Sequence, residues 1–298
     1  MSKILERYKN GNYEVTIEED GTKIRETSEE QFIPEFAENM DVKICNRCDM
    51  GCVMCHEGST PDGALGDILN QKWIDTLKPY QELAIGGGNV LEHPDLISFL
   101  EKLKEKQVIA NITLHQKHFE CNEDFIKKLI DRKLIYGIGI SLSDPTIEFI
   151  KRARKFQNAV IHVINGIVKE EDIRMLSDHS LKLLILGYKK IRRGSSYFEK
   201  EEKLIKDRQA WLYDHIAFIF PHFKVVSFDN LAIEQLNIKR FLTKEEWDEF
   251  YMGDDGSSTF YIDTVEQTFS KSSTAPLDCR YPLQPDVVEM FHKIRHNE

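Results

Sequence analysis

Between residues 41 and 190, six short apolar runs alternate with longer stretches of helical periodicity. The runs are MDVKI, ELAIG, VIANITLH, LIYGIGISL, AVIHVI and LKLLILGY, and the intervening PDLISFLEKLKEK repeats its apolar residues at helical spacing. Parallel neighbours need helical crossovers, so this alternation predicts an α/β fold with a parallel sheet. Ahead of it, NYEVTIE alternates apolar and polar residues, EDG supplies a turn and TKIRE returns, which predicts a hairpin over 12–27. Behind it, FEKEEKLIKDRQAWLYDHIAFIF reads as a charged helix and KVVSF as a further strand candidate with DNLAIEQL behind it. Then come a short helix in LTKEEWDEFYM, a turn in GDDGSS and a hairpin in TFYIDTVEQTFSKSS. With no internal repeat and no low-complexity linker, the pattern predicts one elaborated domain. Its parts are an N-terminal hairpin extension (1–40), a core (41–240) and a C-terminal extension (241–298) that covers the substrate side.

The length of 298 residues allows one or two domains at roughly 150 residues each, and a single α/β barrel also fits. A net charge of −10 argues against a general polyanion binder, nucleic acid included. No uncharged apolar run approaches the roughly 18 residues of a membrane span. The N-terminus MSKILERYKN carries no apolar signal region, so a cytoplasmic location without membrane attachment is expected. Cysteine changes the picture most: Cys45, Cys48, Cys52 and Cys55 are four of the six and fall together in one short segment. In a reducing compartment such crowding points to metal or redox chemistry rather than a disulfide framework.

A structural zinc site usually pairs two knuckles across a dozen or more residues, so that four ligands can close a tetrahedron. Here only Asp49, Met50 and Gly51 separate Cys48 from Cys52. A loop this compact suits a cubane, where thiolates reach different iron corners. The spacing Cys48-x3-Cys52-x2-Cys55, directly after the first strand of an alternating β/α chain, resembles the signature of the radical S-adenosylmethionine superfamily. The resemblance implies a partial (β/α)6 TIM-like barrel and one [4Fe–4S] cluster held by three cysteines. It further implies that S-adenosylmethionine chelates the open iron and is reductively cleaved to methionine and a 5′-deoxyadenosyl radical, which abstracts hydrogen from a substrate. An electron donor such as flavodoxin or ferredoxin is implied with it. Cys45 is an alternative ligand, a fourth ligand or a strand-end residue. Met54 stands where the family often places an aromatic residue beside the adenine.

Gly86, Gly87, Gly88 and Asn89 follow the second strand and resemble the family's Gly-Gly-Glu motif, with Asn89 in the glutamate's place. Glycines there let backbone approach a ligand closely, although a plain strand-to-helix turn has the same composition. Ser141 at the fourth strand resembles a strand-end serine that would contact the cofactor carboxylate, and Asn165 after the fifth stands where ribose contacts occur. Each also reads as an ordinary sheet or turn residue.

Only Cys279 lies after residue 121, so a single cluster is expected. Polar segments at strand ends are His56-Glu57-Gly58-Ser59, the set His115, Gln116, Lys117 and His118, and the basic Lys189, Lys190, Arg192 and Arg193. Lys189 and Arg193 are candidate contacts to a phosphate or carboxylate. Ser227, Asp229, Asn230 and Gln235 are candidate substrate contacts, with a capped helix start as the structural reading of Asp229 or Asn230. On the radical-enzyme reading, the expected substrate is an unidentified small molecule, nucleotide or peptide. The other readings are an activase that installs a glycyl radical on a partner protein, and a non-catalytic iron–sulfur or zinc module.

Overall fold

The computed structural model describes residues 3–296; residues 1, 2, 297 and 298, at the ends of the two expected extensions, lie outside the described residues. The chain opens with β1 (Ile4–Asn10), β2 (Tyr13–Glu18) and β3 (Lys23–Glu26), an antiparallel three-stranded sheet. The expected hairpin is β2–β3, and β1 adds to it. The six expected core strands are β4 (Asn39–Cys45), β5 (Glu82–Gly87), β6 (Ile109–His115), β7 (Gly137–Ser141), β8 (Ala159–Ile164) and β9 (Lys182–Leu186), paired parallel in that order. Their crossovers carry α1 (Leu96–Glu105), α2 (Gln116–Cys121), α3 (Glu123–Asp131), α4 (Ile147–Ala153) and α5 (Glu170–Leu176). The long α6 (Arg193–Ile219) leads to β10 (Val225–Phe228), parallel to β9, and then to α7 (Asn230–Leu236) and α8 (Lys244–Phe250).

The C-terminal hairpin extends the main sheet, as the sequence pattern predicts. Its first strand, β11 (Thr259–Asp263), pairs parallel to β4, so eight parallel strands line up where six were expected. β12 (Thr268–Ser270) and β13 (Tyr281–Pro282) continue antiparallel at that edge, and α9 (Val287–Arg295) closes the chain. Two side-chain hydrogen bonds show that the sheet curls. Asn230 Nδ2, just past β10, donates to Asp255 Oδ1 at 2.7 Å, just ahead of β11, and Lys189 Nζ reaches Ser273 Oγ at 2.9 Å. A flat sheet would hold β10 and β11 roughly 34 Å apart, seven strand spacings. The two ends of the parallel array therefore face each other, without ladder pairing between them among the described residues.

Strand alternation sorts the faces. Met40, Val42 and Ile44 of β4, Leu83 and Ile85 of β5 and Ile138 and Ile140 of β7 are buried in one core with Phe99, Phe119 and Phe149 of the helices. The opposite face carries Asp41, Lys43, Ala84, Gly86, Asn111, Thr113, Gly139, Ser141 and His162, small or polar residues that line the inside of the curl. The N-terminal sheet covers the end where the strands begin. Lys23 pairs with Glu82 at 2.7 Å, and Asp20 and Glu19 accept from Lys182 and Asn158 through their backbone carbonyls. The open end is therefore the one where the parallel strands finish. Among the described residues no helix is long and apolar enough to cross a membrane.

Candidate metal centre

The cysteine segment leaves β4 at Cys45 and is pinned on both sides by backbone hydrogen bonds. On one side Asn46 and Cys48 donate to the carbonyls of Ala64 and Thr60 at 2.7 and 2.8 Å. On the other, the end of β5 donates to it: Gly88 N–H to Cys45 at 2.8 Å and Asn89 N–H to Arg47 at 2.7 Å. Such close approach requires the glycines. Gly87 has φ +116°, and a Cβ there would lie 2.3 Å from the Cys45 carbonyl oxygen, while a Cβ on Gly88 would lie 2.1 Å from that of Arg47. Gly86 has open space around it. The sequence reading assigned all three glycines to ligand approach, whereas two of them fit the strand end against the chain's own cysteine loop. Asn89 is buried and caps the turn that follows, accepting from Leu91 N–H at 3.3 Å and donating to Glu92 at 2.9 Å.

Cys48, Cys52 and Cys55 are half-buried and free. Burial pushes the Cys48 and Cys52 thiols up, with a smaller push from the neighbouring Cys55 sulfur. The three sulfurs do not gather at a single-ion spacing. Among the described residues the donor set within 4.8 Å of one another is Cys48, Asp49 and His118. Thiols spaced more widely than one ion's ligands suit separate iron corners better than one tetrahedral ion. Cys45 differs from all three: it is fully buried at the strand end, and burial pushes its thiol up to about 11.

The loop after β9 closes over this segment. Arg193 is near enough to Cys52 to favour its thiolate, and its Nε is buried without a hydrogen-bond partner. Arg192 donates to the backbone carbonyl of Glu57, and Met54, half-buried, has its carbonyl oxygen beside Gly194. Glu57, two residues past the last cysteine, accepts from buried Lys43 Nζ at 3.1 Å, and Lys43 reaches Asp263 of β11 at 3.1 Å. Asp263 also takes Arg280 at 3.4 Å and the Tyr261 hydroxyl at 3.3 Å. Burial opposes ionisation of Glu57, but His56 and Lys43 outweigh it and hold the carboxyl well below the usual range. Lys43, Asp263 and Arg280 were not singled out from sequence; a lysine inside the apolar run MDVKI was the available signal.

Beside the loop, Asp41 opens onto the hollow above Ala84 and Gly86. Enclosure by the barrel walls raises its carboxyl; Lys189 opposes the shift, and the carboxylates of Asp255, Asp229 and Glu57 add to it. Ser141 ends β7 facing this hollow, and its hydroxyl has no hydrogen bond among the described residues. Asn165 is buried after β8, donates to Gln235 at 3.0 Å and leaves its own carbonyl oxygen without a partner. The other candidates are structurally engaged. Asp229 caps α7 through Ala232 N–H and takes Gly187 N–H, both at 2.8 Å. Asn230 is held by Asp255, Ser227 Oγ donates to the Leu183 carbonyl at 3.3 Å, and Gln235 is bound to both backbone groups of Tyr188.

No family model and no curated protein matches the chain. Solved structures do. Streptococcus suis SuiB bound to the precursor peptide SuiA matches with TM-score 0.50 and 16% identity over 80% of this chain and 60% of that one. SuiB bound to S-adenosylmethionine matches with TM-score 0.50 and 14% identity over 87% and 64%. The chain spans less than two thirds of the length of these structures. At such identity the likeness establishes the fold, a mixed α/β architecture with a parallel sheet and helices shared with SuiB.

Proposed function

We propose that the protein is a radical S-adenosylmethionine enzyme, with Cys48, Cys52 and Cys55 as the ligands of one [4Fe–4S] cluster. The observation that supports this reading best is the cysteine loop itself: three free, half-buried thiols just past the first barrel strand, on a loop whose start is held by the backbone amides of Gly88 and Asn89 at the end of the second. When bound, a cluster with one iron free of cysteine supplies an electron for cleavage of S-adenosylmethionine to methionine and a 5′-deoxyadenosyl radical able to abstract hydrogen. The chain's own residues prepare for this. Gly87 and Gly88 seat the loop against β5, Arg193 places positive charge beside Cys52, and the Lys43–Glu57 pair fixes the segment beyond Cys55 to the barrel wall. The hollow lined by Asp41, Ala84, Gly86 and Ser141 leaves room above the inner face, and the N-terminal sheet directs entry to the opposite end. Met54, Gly86, Ser141 and Asn165 are the side chains and backbone offered to S-adenosylmethionine; Lys189 and Arg193 are offered to an anionic group. Two structures of similar fold hold S-adenosylmethionine and a precursor peptide, so a peptide is the substrate class to try first.

Anaerobic reconstitution with iron and sulfide, followed by dithionite and S-adenosylmethionine, tests the reading. Methionine and 5′-deoxyadenosine should form, a Cys52→Ala variant should lose both cluster and cleavage, and Cys45→Ala should keep them. An intact cluster that cleaves no S-adenosylmethionine would leave the non-catalytic module as the answer.

A further inference from the structure

The contacts of Cys48 differ from those of the other two ligands. Its sulfur, an Asp49 carboxylate oxygen and a ring nitrogen of His118 all lie within 4.8 Å of one another. They come from two separate elements, the cysteine loop and the start of α2. His118 is 7% exposed, and its Nε2 meets Asp49 Oδ1 at 2.7 Å. The imidazole of His115 stands edge-on to it with ring centroids 5.9 Å apart, and His115 also caps α2 by accepting from Lys117 N–H at 3.2 Å. Sulfur, imidazole and carboxylate are the ligands zinc takes at roughly 2.0–2.3 Å, which puts tetrahedral neighbours roughly 3.3–3.8 Å apart. To meet that geometry the His118–Asp49 pair, now at 2.7 Å, opens by about 0.6 Å, and no other pair of donors has to close by more than about 1.5 Å.

We propose that the cysteine loop has a second, mutually exclusive metal mode: when no cluster is present, Cys48, Asp49 and His118 bind a single zinc-type divalent ion. The inference rests on the cluster reading for its exclusivity, because Cys48 belongs to both sets; the ion site itself rests on the three donors alone. Binding removes the Cys48 thiol proton to solvent and breaks the His118–Asp49 hydrogen bond. The imidazole proton moves to Nδ1, leaving Nε2 to coordinate, and no electron is transferred. Water or His115 completes the fourth position. A chain in this state has a protected thiol at Cys48 and cannot accept a cluster until the ion leaves.

The test is cobalt titration of the cluster-free protein under anaerobic conditions, read by the thiolate-to-cobalt charge-transfer band and reversed by zinc. One cobalt should bind per chain. The Cys52→Ser/Cys55→Ser double variant should retain the band, whereas Cys48→Ser should abolish it and His118→Ala should weaken binding at least about tenfold. Thermal melting of metal-free His118→Ala, unchanged from the parent, separates loss of a ligand from loss of fold; if it melts early, Asp49→Ala carries the same expectation. Cobalt binding that ignores His118 and Asp49, or that disappears in the double variant, overturns the proposal. Neither result touches the reconstitution experiment, which reads iron, sulfide and cleavage in the parent chain.

Discussion

The loop after β4 and the turn after β10 resemble each other in sequence, for both place a run of polar or sulfur side chains at the end of a parallel strand. Their hydrogen bonds separate them. After β10, Asp229 satisfies the amides of Ala232 and Gly187, and Asn230 is tied to Asp255. After β4, the backbone is pinned but the thiols of Cys48, Cys52 and Cys55 are free, and Arg193 Nε beside them lacks a partner. Polar groups already satisfied by the chain hold structure; groups left unsatisfied around a fixed backbone are available to a ligand.

The two regions are also anchored by different physics, and the largest expected effect comes from the β4 side. Lys43 is buried between the carboxylates of Asp263 and Glu57. Replacing it in Lys43→Met leaves those charges with fewer partners in a dry site, at a cost of about 3–5 kcal/mol. Urea unfolding measures this; a loss under about 1 kcal/mol would mean that the network is not what holds the cysteine loop to the wall.

Next in size are the glycines, which sharpen the contrast within three residues. Gly88→Ala drives a methyl group into the Arg47 carbonyl and should cost about 1–3 kcal/mol, with the cysteine loop displaced. Gly86→Ala, with open space around it, should leave folding within about 0.5 kcal/mol of the parent. Equal urea midpoints for the two variants would contradict the close fit of β5 to the loop.

Asp229→Ala removes a helix cap and should cost about 0.5–2 kcal/mol. The prediction that matters is the accompanying one: reconstituted cluster content stays at the parent level. If Asp229→Ala folds yet loses the cluster, the division between a structural turn and the proposed metal-holding loop is wrong.

What sequence could reveal follows the same division. The strands β4 to β9 were legible because each buries one face in a period of two between helices. The cysteine segment was legible as one compact loop because its residues are consecutive, and its role as a ligand loop is the proposal. The place of β11 was not: TFYID and the strand after it do form a hairpin, but the parallel pairing of Asp263 with Lys43 joins residues 220 apart, and nothing local encodes it. Nor could local pattern decide Asp229, since capping and substrate contact ask for the same carboxylate at a strand-to-helix turn. Gly87 and Gly88 were found for their flexibility, but what they pack against became visible only once β4 and β5 were neighbours.

Two histidines carry the contrast to its smallest effect. His118 is held by Asp49 beside the cysteine loop, whereas His162 lies on the far inner wall, its ring against Gly139, and burial alone lowers its pKa to about 4. As pH falls, the unfolded chain gains a proton near the ordinary value of 6.5 while the folded chain does not until about 4. The stability this residue contributes is therefore complete above 6.5 and is lost as pH drops through that window. Between about pH 7.5 and pH 5.5 the loss attributable to His162 should be about 1 kcal/mol, and His162→Gln should remove that part of the slope. Urea midpoints at the two pH values decide it. If His162→Gln leaves the acid sensitivity unchanged, the far wall is wetter than its enclosure implies, and the hollow facing the cysteine loop must admit enough water to charge an imidazole.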